Sequence, residues 1–123
     1  MPEAVVALTG ASGAQYCVRL IEALVEHKWS VNLIVTSAGA INLDLECGIT
    51  PRELADREGV NLEDNANLAA RAASGSARFD AYVICPASGT TIGKIAAGIS
   101  DNLATRSALV AMKERRKLII VPR

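Results

Sequence analysis

The run Ala4-Val5-Val6-Ala7-Leu8, closed by Thr9-Gly10-Ala11-Ser12-Gly13-Ala14, narrows what this chain can become more than any other stretch. A short apolar run without polar alternation fits a strand covered on both faces, as in a parallel sheet. Past the glycine turn, Val18, Leu20, Ile21, Leu24 and Val25 recur at helical spacing. His27-Lys28 then put cations where a helix C-terminus favours them. Val31-Asn32-Leu33-Ile34-Val35 is a second strand, closed by Thr36-Ser37-Ala38-Gly39. Strand, helix and strand in this order make a βαβ unit with a right-handed crossover.

Thr50-Pro51-Arg52-Glu53 combines a capping Thr, a Pro at the first helical position and a Glu three residues after the cap, and so starts a short helix. The Ala-rich stretch from Asn65 to Ala73 is helix-permissive, and Ser74-Gly75-Ser76 stops it ahead of the strand Tyr82-Val83-Ile84-Cys85, which Pro86 closes. Ser88 to Ala97 forms another helix, ended by Gly98. Asn102 to Arg116 forms a longer one whose basic end (Lys113, Arg115, Arg116, Lys117) complements the helix dipole. Leu118-Ile119-Ile120-Val121 is the last strand, expected at a central position of the sheet. With no repeat or low-complexity linker, alternating strands and helices argue one α/β domain over residues 1–123, built on a parallel sheet. The chain stops at the carboxyl end of that last strand, where open α/β sheets place their ligands, which fits a fragment or a domain completed by neighbouring subunits.

Charge excludes several functions. The 13 Lys+Arg balance 13 Asp+Glu, so the broad basic footprint that nucleic acid or an anionic membrane surface requires is missing. Aromatic residues are 3% of the chain, too few to build stacking platforms for single strands. Cys17, Cys47 and Cys85 are odd in number and lack CxxC spacing, which points to buried thiols rather than to disulfides or a metal site. The acidic opening Met1-Pro2-Glu3 is unlike a signal peptide, and no apolar run reaches the ~20 residues of a membrane span. A cytoplasmic protein is expected.

Ligand-bearing loops in this architecture follow the strands: Thr9 to Ala14, Thr36 to Ala40, Pro86 to Thr91, and Pro122-Arg123. Three of these are small, hydroxyl-rich and glycine-bearing. Such loops let backbone N–H groups approach a phosphate at a helix N-terminus, so a mononucleotide phosphate is the natural guest. The spacing matches neither GxGxxG nor GxxxxGK[ST], which removes the dinucleotide and ATP P-loop readings. By itself, GxSGA after a strand also fits ordinary turn and cap duty.

Taken in order, Thr9 to Ala14, the helix opening Tyr16 to Leu20, Val35 to Ala38, Ala73 to Ser76, Ile84 to Ser88, Gly98 to Arg106 and Lys113 to Arg123 resemble the UbiX-type flavin prenyltransferases over essentially the whole chain. The resemblance implies a flavodoxin-like, Rossmann-like fold with three layers, a parallel sheet carrying helices on both faces. It implies a homo-oligomer, often a dodecamer, with FMN held between subunits and no metal. Members transfer a dimethylallyl group from dimethylallyl phosphate or diphosphate to the N5 position of reduced FMN and close a ring at C6, making prenylated FMN for a UbiD-type decarboxylase, including those of ubiquinone biosynthesis.

Carried over by position, Gly10, Ala11 and Ser12 match the first flavin loop, Ser37 the second, and Ser88, Gly89, Thr90 and Thr91 the third. Arg123 matches a phosphate-side arginine, and Arg106 and Lys113 would bind phosphate, where fixed cations stabilise the charge left as an allylic phosphate ionises. Ser12 would lie at the reacting edge of the flavin with Glu46 as a partner for proton movement, since ring closure must release a proton to a base. Each has a plainer rival: Ser12 a helix N-cap, Glu46 an ordinary carboxylate, Arg106 and Lys113 a solvated face, and His27 a helix end. The chain departs from the family pattern at Ala87 and Thr90, where a cysteine and a lysine are usual, and it lacks the glutamate, tyrosine and basic residue that family members carry in a C-terminal segment beyond Arg123.

Two other functions remain open at this point. One is an FMN-dependent decarboxylase of a cysteine-derived carboxylate on the same fold, weakened because the sole histidine, His27, falls at a helix end. The other is a truncated FMN-binding subunit that turns nothing over.

Overall fold

The computed structural model describes residues 1–123. Its central strand, β1 (Glu3–Leu8), runs between β2 (Ser30–Val35) and β4 (Ala81–Ala87), and pairs with both in parallel. Flanked on both edges, β1 is buried from Ala4 to Leu8, none of these residues being more than 1% exposed. Pleating sends alternate side chains to opposite faces. Val5 and Ala7 join a core with Ile34, Tyr82 and Ile84, while Ala4, Val6 and Leu8 join a second core with Val31, Leu33 and Val83. Outermost are β3 (Val60–Glu63) beside β2 and β5 (Leu118–Pro122) beside β4, so the sheet order is β3-β2-β1-β4-β5, all parallel.

Helices close both faces. The Ala4 side is covered by α1 (Ala14–Glu26) through Ala14, Cys17 and Ile21, by α2 (Ser37–Cys47) through Leu43, and by α3 (Pro51–Ala55) through Leu54. On the Val5 side lie α4 (Gly89–Ala97) through Ile95 and α5 (Leu103–Lys113) through Leu103, Ala104, Ala108 and Ala111. The alanine stripe of α5 lets that helix sit close to the sheet. The expected three-layer parallel architecture is therefore present, with the expected starts for α3, α4 and α5. Thr50 and Glu53 form a reciprocal capping box, and Ser88 and Asn102 cap α4 and α5. No helix is long and apolar enough to cross a membrane.

Four expectations are corrected. The last strand is an edge of the sheet rather than central, and Ile119 is 44% exposed on it. Pro86 does not close β4, which continues to Ala87 and pairs it with Pro122; the proline ring removes a donor, but the Pro86 carbonyl still accepts from Thr9. Residues 65–73 are not helical beyond a 3₁₀ turn at Arg71–Ala73, because the side chains of Asp64 and Asn67 accept from the N–H groups of Ala66 and Ala69 and hold the backbone in turns. The basic end of α5 also unwinds early. Arg115 takes a left-handed φ of 54°, and Arg116 turns its guanidinium onto the carbonyls of Gly75 and Ala77 and the Tyr82 hydroxyl.

The three thiols are unpaired. Burial pushes the Cys17 and Cys85 thiols above the ordinary thiol range, and neighbouring thiols add to this at Cys17. Cys47 is raised too, by desolvation and then by Glu46, yet it is only partly buried. Because the thiolate is the nucleophile, iodoacetamide at neutral pH should label Cys47 first and leave Cys17 and Cys85 untouched until the chain is unfolded. Peptide mass mapping over a time course checks this; prompt labelling of Cys17 would show that α1 does not pack as described.

Candidate functional site

The sheet order reverses between β1 and β4: β1 continues into α1 on one face, and β4 into α4 on the other. A crevice must open at the carboxyl ends of the two strands, which is where open α/β sheets bind ligands. Thr9, fully buried, ties the loops of this crevice together. Its Oγ1 donates to the Pro86 carbonyl at 2.6 Å and accepts from the Ser88 N–H at 2.9 Å. Ser88 then caps α4, its Oγ accepting from the Thr91 N–H at 3.2 Å and donating to Thr91 Oγ1 at 2.9 Å.

The second loop is built as tightly. Thr36 donates its N–H to the Leu8 carbonyl at 3.1 Å and caps α2 by accepting from Gly39 at 3.0 Å. A Cβ at Gly10 would collide with Ala38, so the first and second loops touch at a contact that only glycine permits. From β3, Asn65 reaches the start of α5: its backbone carbonyl accepts from the Leu103 N–H at 2.8 Å and its Oδ1 from the Ala104 N–H at 3.0 Å.

These loops enclose a groove of about 340 Å³ that joins a second cavity of about 600 Å³ through Thr36, Ser37, Asn65 and Asn102. Both volumes lie in the range of small-molecule sites. Gly10, Ser37, Ser88, Thr90 and Thr91, all assigned from the sequence, line the smaller groove together. Gly89 sits at the start of α4 with open space where a Cβ would be, and Ala11 is buried beneath the first loop. Hydroxyls and backbone N–H groups at the beginnings of α2 and α4 make this a fitting seat for a mononucleotide phosphate. Sequence reasoning placed Thr36 in a ligand-bearing loop but missed Asn65 and Lys94 as lining residues. Asn65 had no visible signal, since β3 before it is short and half polar, whereas Lys94, one turn after Thr90, was open to the spacing argument.

A second cluster stands at the N-terminus of α1. Gly13 caps that helix with a φ of 108° and no side-chain cap of its own, so Ser12 is not the N-cap. Instead Glu46 Oε1, from the last turn of α2, accepts from the Gly13 N–H at 2.9 Å and the Ala14 N–H at 2.7 Å. A carboxylate there satisfies two orphan donors and meets the positive end of the dipole. Ser12 is exposed beside it, and the Arg123 guanidinium lies 5.4 Å from the Tyr16 ring centroid on the same helix. Ser12, Glu46 and Arg123, distant in sequence, are therefore neighbours of one loop.

Arg106 and Lys113 are not brought there. Arg106 donates to the Ser100 carbonyl at 3.2 Å, and its Nε is buried without a partner. Lys113 lies at the opposite end of α5 from Asn102, about 16 Å along the axis at 1.5 Å per residue, is 71% exposed and pairs with Glu114. His27 is the C-cap residue of α1, with Nδ1 2.7 Å from the Ala23 carbonyl oxygen.

Comparison with known proteins agrees with this geometry. The model of the Flavoprotein family matches residues 2–123. A flavin prenyltransferase UbiX of Thermoplasma acidophilum is 44% identical over 119 residues, covering 97% of this chain and 64% of that protein. The crystal structure of AnUbiX in complex with FMN and dimethylallyl pyrophosphate superposes with a TM-score of 0.92 at 33% identity, covering 99% of this chain and 64% of that one. A dodecameric FMN-dependent UbiX-like decarboxylase from Escherichia coli gives a TM-score of 0.92 at 35% identity, covering 98% and 66%. This chain thus spans about two thirds of the length of the proteins it resembles. A five-stranded parallel sheet, a crevice at its strand-order reversal and a family match across nearly every residue lead to one conclusion: the chain belongs to the Flavoprotein family and is similar, within it, to the UbiX flavin prenyltransferases.

Proposed function

We propose that residues 1–123 form a single flavin-binding domain of a flavin prenyltransferase, which transfers a dimethylallyl group from dimethylallyl phosphate or diphosphate to reduced FMN. The observation that carries this is the meeting of Gly10, Ser37, Ser88, Thr90 and Thr91 in one groove at the crevice between β1 and β4. Reduced FMN supplies the nucleophilic N5 and C6 positions that accept the prenyl group. The chain's own residues do the rest. The three loops hold the flavin through hydroxyls and backbone N–H groups. Glu46 is fixed by one oxygen on Gly13 and Ala14, which leaves Oε2 free to take the proton released on ring closure next to Ser12. Arg123, beside the same loop, is the cation for the departing phosphate. Arg106 and Lys113, held away from that loop in this chain, would join it only from a neighbouring copy.

An oligomer is part of this proposal. The outer face of α2 presents Ile41 at 61% and Leu45 at 76% exposure, an apolar pair one turn apart that a neighbouring copy would cover. A cytoplasmic setting, supported by the three unpaired thiols, and a UbiD-type decarboxylase as recipient of the product complete it. No observation favours the decarboxylase of a cysteine-derived carboxylate, since His27 stands on the outer end of α1.

Anaerobic incubation of the chain with reduced FMN and dimethylallyl phosphate, followed by mass analysis of the released flavin, is expected to show a dimethylallyl increment. Bound but unmodified FMN would reduce the proposal to flavin binding without transfer. Failure to bind FMN at all would sink the three-loop assignment.

A further inference from the structure

The crevice is divided by charge. Its larger cavity, beside β3, carries Glu63, Asp64 and Asp101, whereas the smaller groove has a single charged lining residue, Lys94, among hydroxyls and backbone N–H groups. Lys94 stands one turn after Thr90 on α4, so the two share a helix face. Its ammonium lies 3.1 Å from both carboxylate oxygens of Asp101, just ahead of α5, and the lysine side chain is 31% exposed against 57% for the aspartate. An ammonium has three N–H donors; Asp101 takes two and leaves one for a ligand. A ligand with one anionic end is repelled by the acidic cavity and drawn to the Lys94 groove, where two helix N-termini add to the attraction.

We propose that Lys94 is a specificity-determining residue that seats the phosphate of a flavin mononucleotide. The inference rests on the flavin reading above and deepens it: the site would select the phosphorylated flavin over the bare one. A staple between α4 and the start of α5 is the competing role, and as a half-exposed ion pair it would matter little. The two roles separate cleanly. For a staple, losing either partner has the same effect. For a phosphate seat, losing Lys94 harms FMN binding, and losing Asp101 removes a nearby negative charge and does not.

The test measures dissociation constants of the 123-residue chain for FMN and for riboflavin by fluorescence quenching, with Lys94→Met, Lys94→Arg and Asp101→Asn beside the unaltered chain. A charge-assisted hydrogen bond to phosphate predicts that Lys94→Met weakens FMN about tenfold or more and leaves riboflavin unchanged. Lys94→Arg keeps most of the FMN preference, and Asp101→Asn keeps or strengthens it. Riboflavin binding by each variant certifies its fold. An FMN-to-riboflavin ratio unmoved by Lys94→Met overturns the inference, as does equal weakening by Lys94→Met and Asp101→Asn. If the unaltered chain binds neither flavin, it is the flavin reading itself that falls, a different and recognisable result.

Discussion

Gly39→Ala is expected to destabilise the chain and to weaken flavin binding. A Cβ at this position would overlap the backbone carbonyl oxygen of Leu8 and approach Leu8 Cδ2 to 2.7 Å. The carbonyl cannot move aside, because it ends β1 and accepts the Thr36 N–H that starts α2. The helix must therefore lift from the sheet, taking with it Ser37, which lines both cavities, and Leu43, which is fully buried. Overpacking of this kind costs about 1–3 kcal/mol, sometimes more. Urea denaturation followed by circular dichroism should show the midpoint fall, and FMN affinity should drop beyond what the unfolded fraction explains. Gly93→Ala is the control: nothing lies within 4 Å of its Cβ position inside α4, so alanine there should raise stability by about 0.5–1 kcal/mol. Equal, small effects from both substitutions would show that α2 does not press on β1 as described.

Thr9→Val carries the second large effect. Valine matches the shape of threonine but neither donates nor accepts, so the Ser88 N–H loses its partner in a part-buried setting and the Pro86 carbonyl keeps only the Thr9 N–H at 3.3 Å. An unsatisfied buried group costs about 1–3 kcal/mol. Position as well as stability is affected, since Ser88 caps α4 and lines the groove. Titration with FMN should therefore show a loss of affinity in Thr9→Val under conditions where circular dichroism finds the chain folded, and Thr9→Ser, which keeps the oxygen, should restore it. A Thr9→Val variant with lowered stability but unchanged FMN affinity would confine Thr9 to holding the fold.

Most of the framework was legible because its signals are local. The apolar runs of β1, β2 and β4 follow from fully or largely covered strands, β5 is equally apolar although it is a half-covered edge, and the caps Thr50, Ser88 and Asn102 with Gly98 bracket their helices as residue chemistry demands. What escaped lacks periodicity. The helix α2 places Gly39 and Leu43 inward but Ile41 and Leu45 outward, so no stripe marks it, and its first residues pass for the loop that ends β2. The strand β3 has four residues, two of them polar, at an edge. The alanines of 65–73 argue for helix until the side chains of Asp64 and Asn67 capture the backbone. At the site, the loop residues were legible through the order of their motifs, whereas Asn65 entered through a contact with α5 that depends on tertiary structure alone.

The segment from residue 64 to residue 80, between β3 and β4, contains only one short 3₁₀ turn of its own. It is fastened at two points. Near one end Asn65 grips the first N–H groups of α5, and near the other Gly75 and Ala77 are gripped by Arg116, just past the end of the same helix. α5 is thus a beam from which the segment hangs like a strap with a buckle at each end. Protection of its amides from exchange would be borrowed from the helix rather than generated by a ladder of its own, and strap and beam are expected to open as one cooperative unit. Because Asn65 and Asn102 also border the crevice, a molecule lodged there rests against the front buckle and adds its grip to the whole assembly.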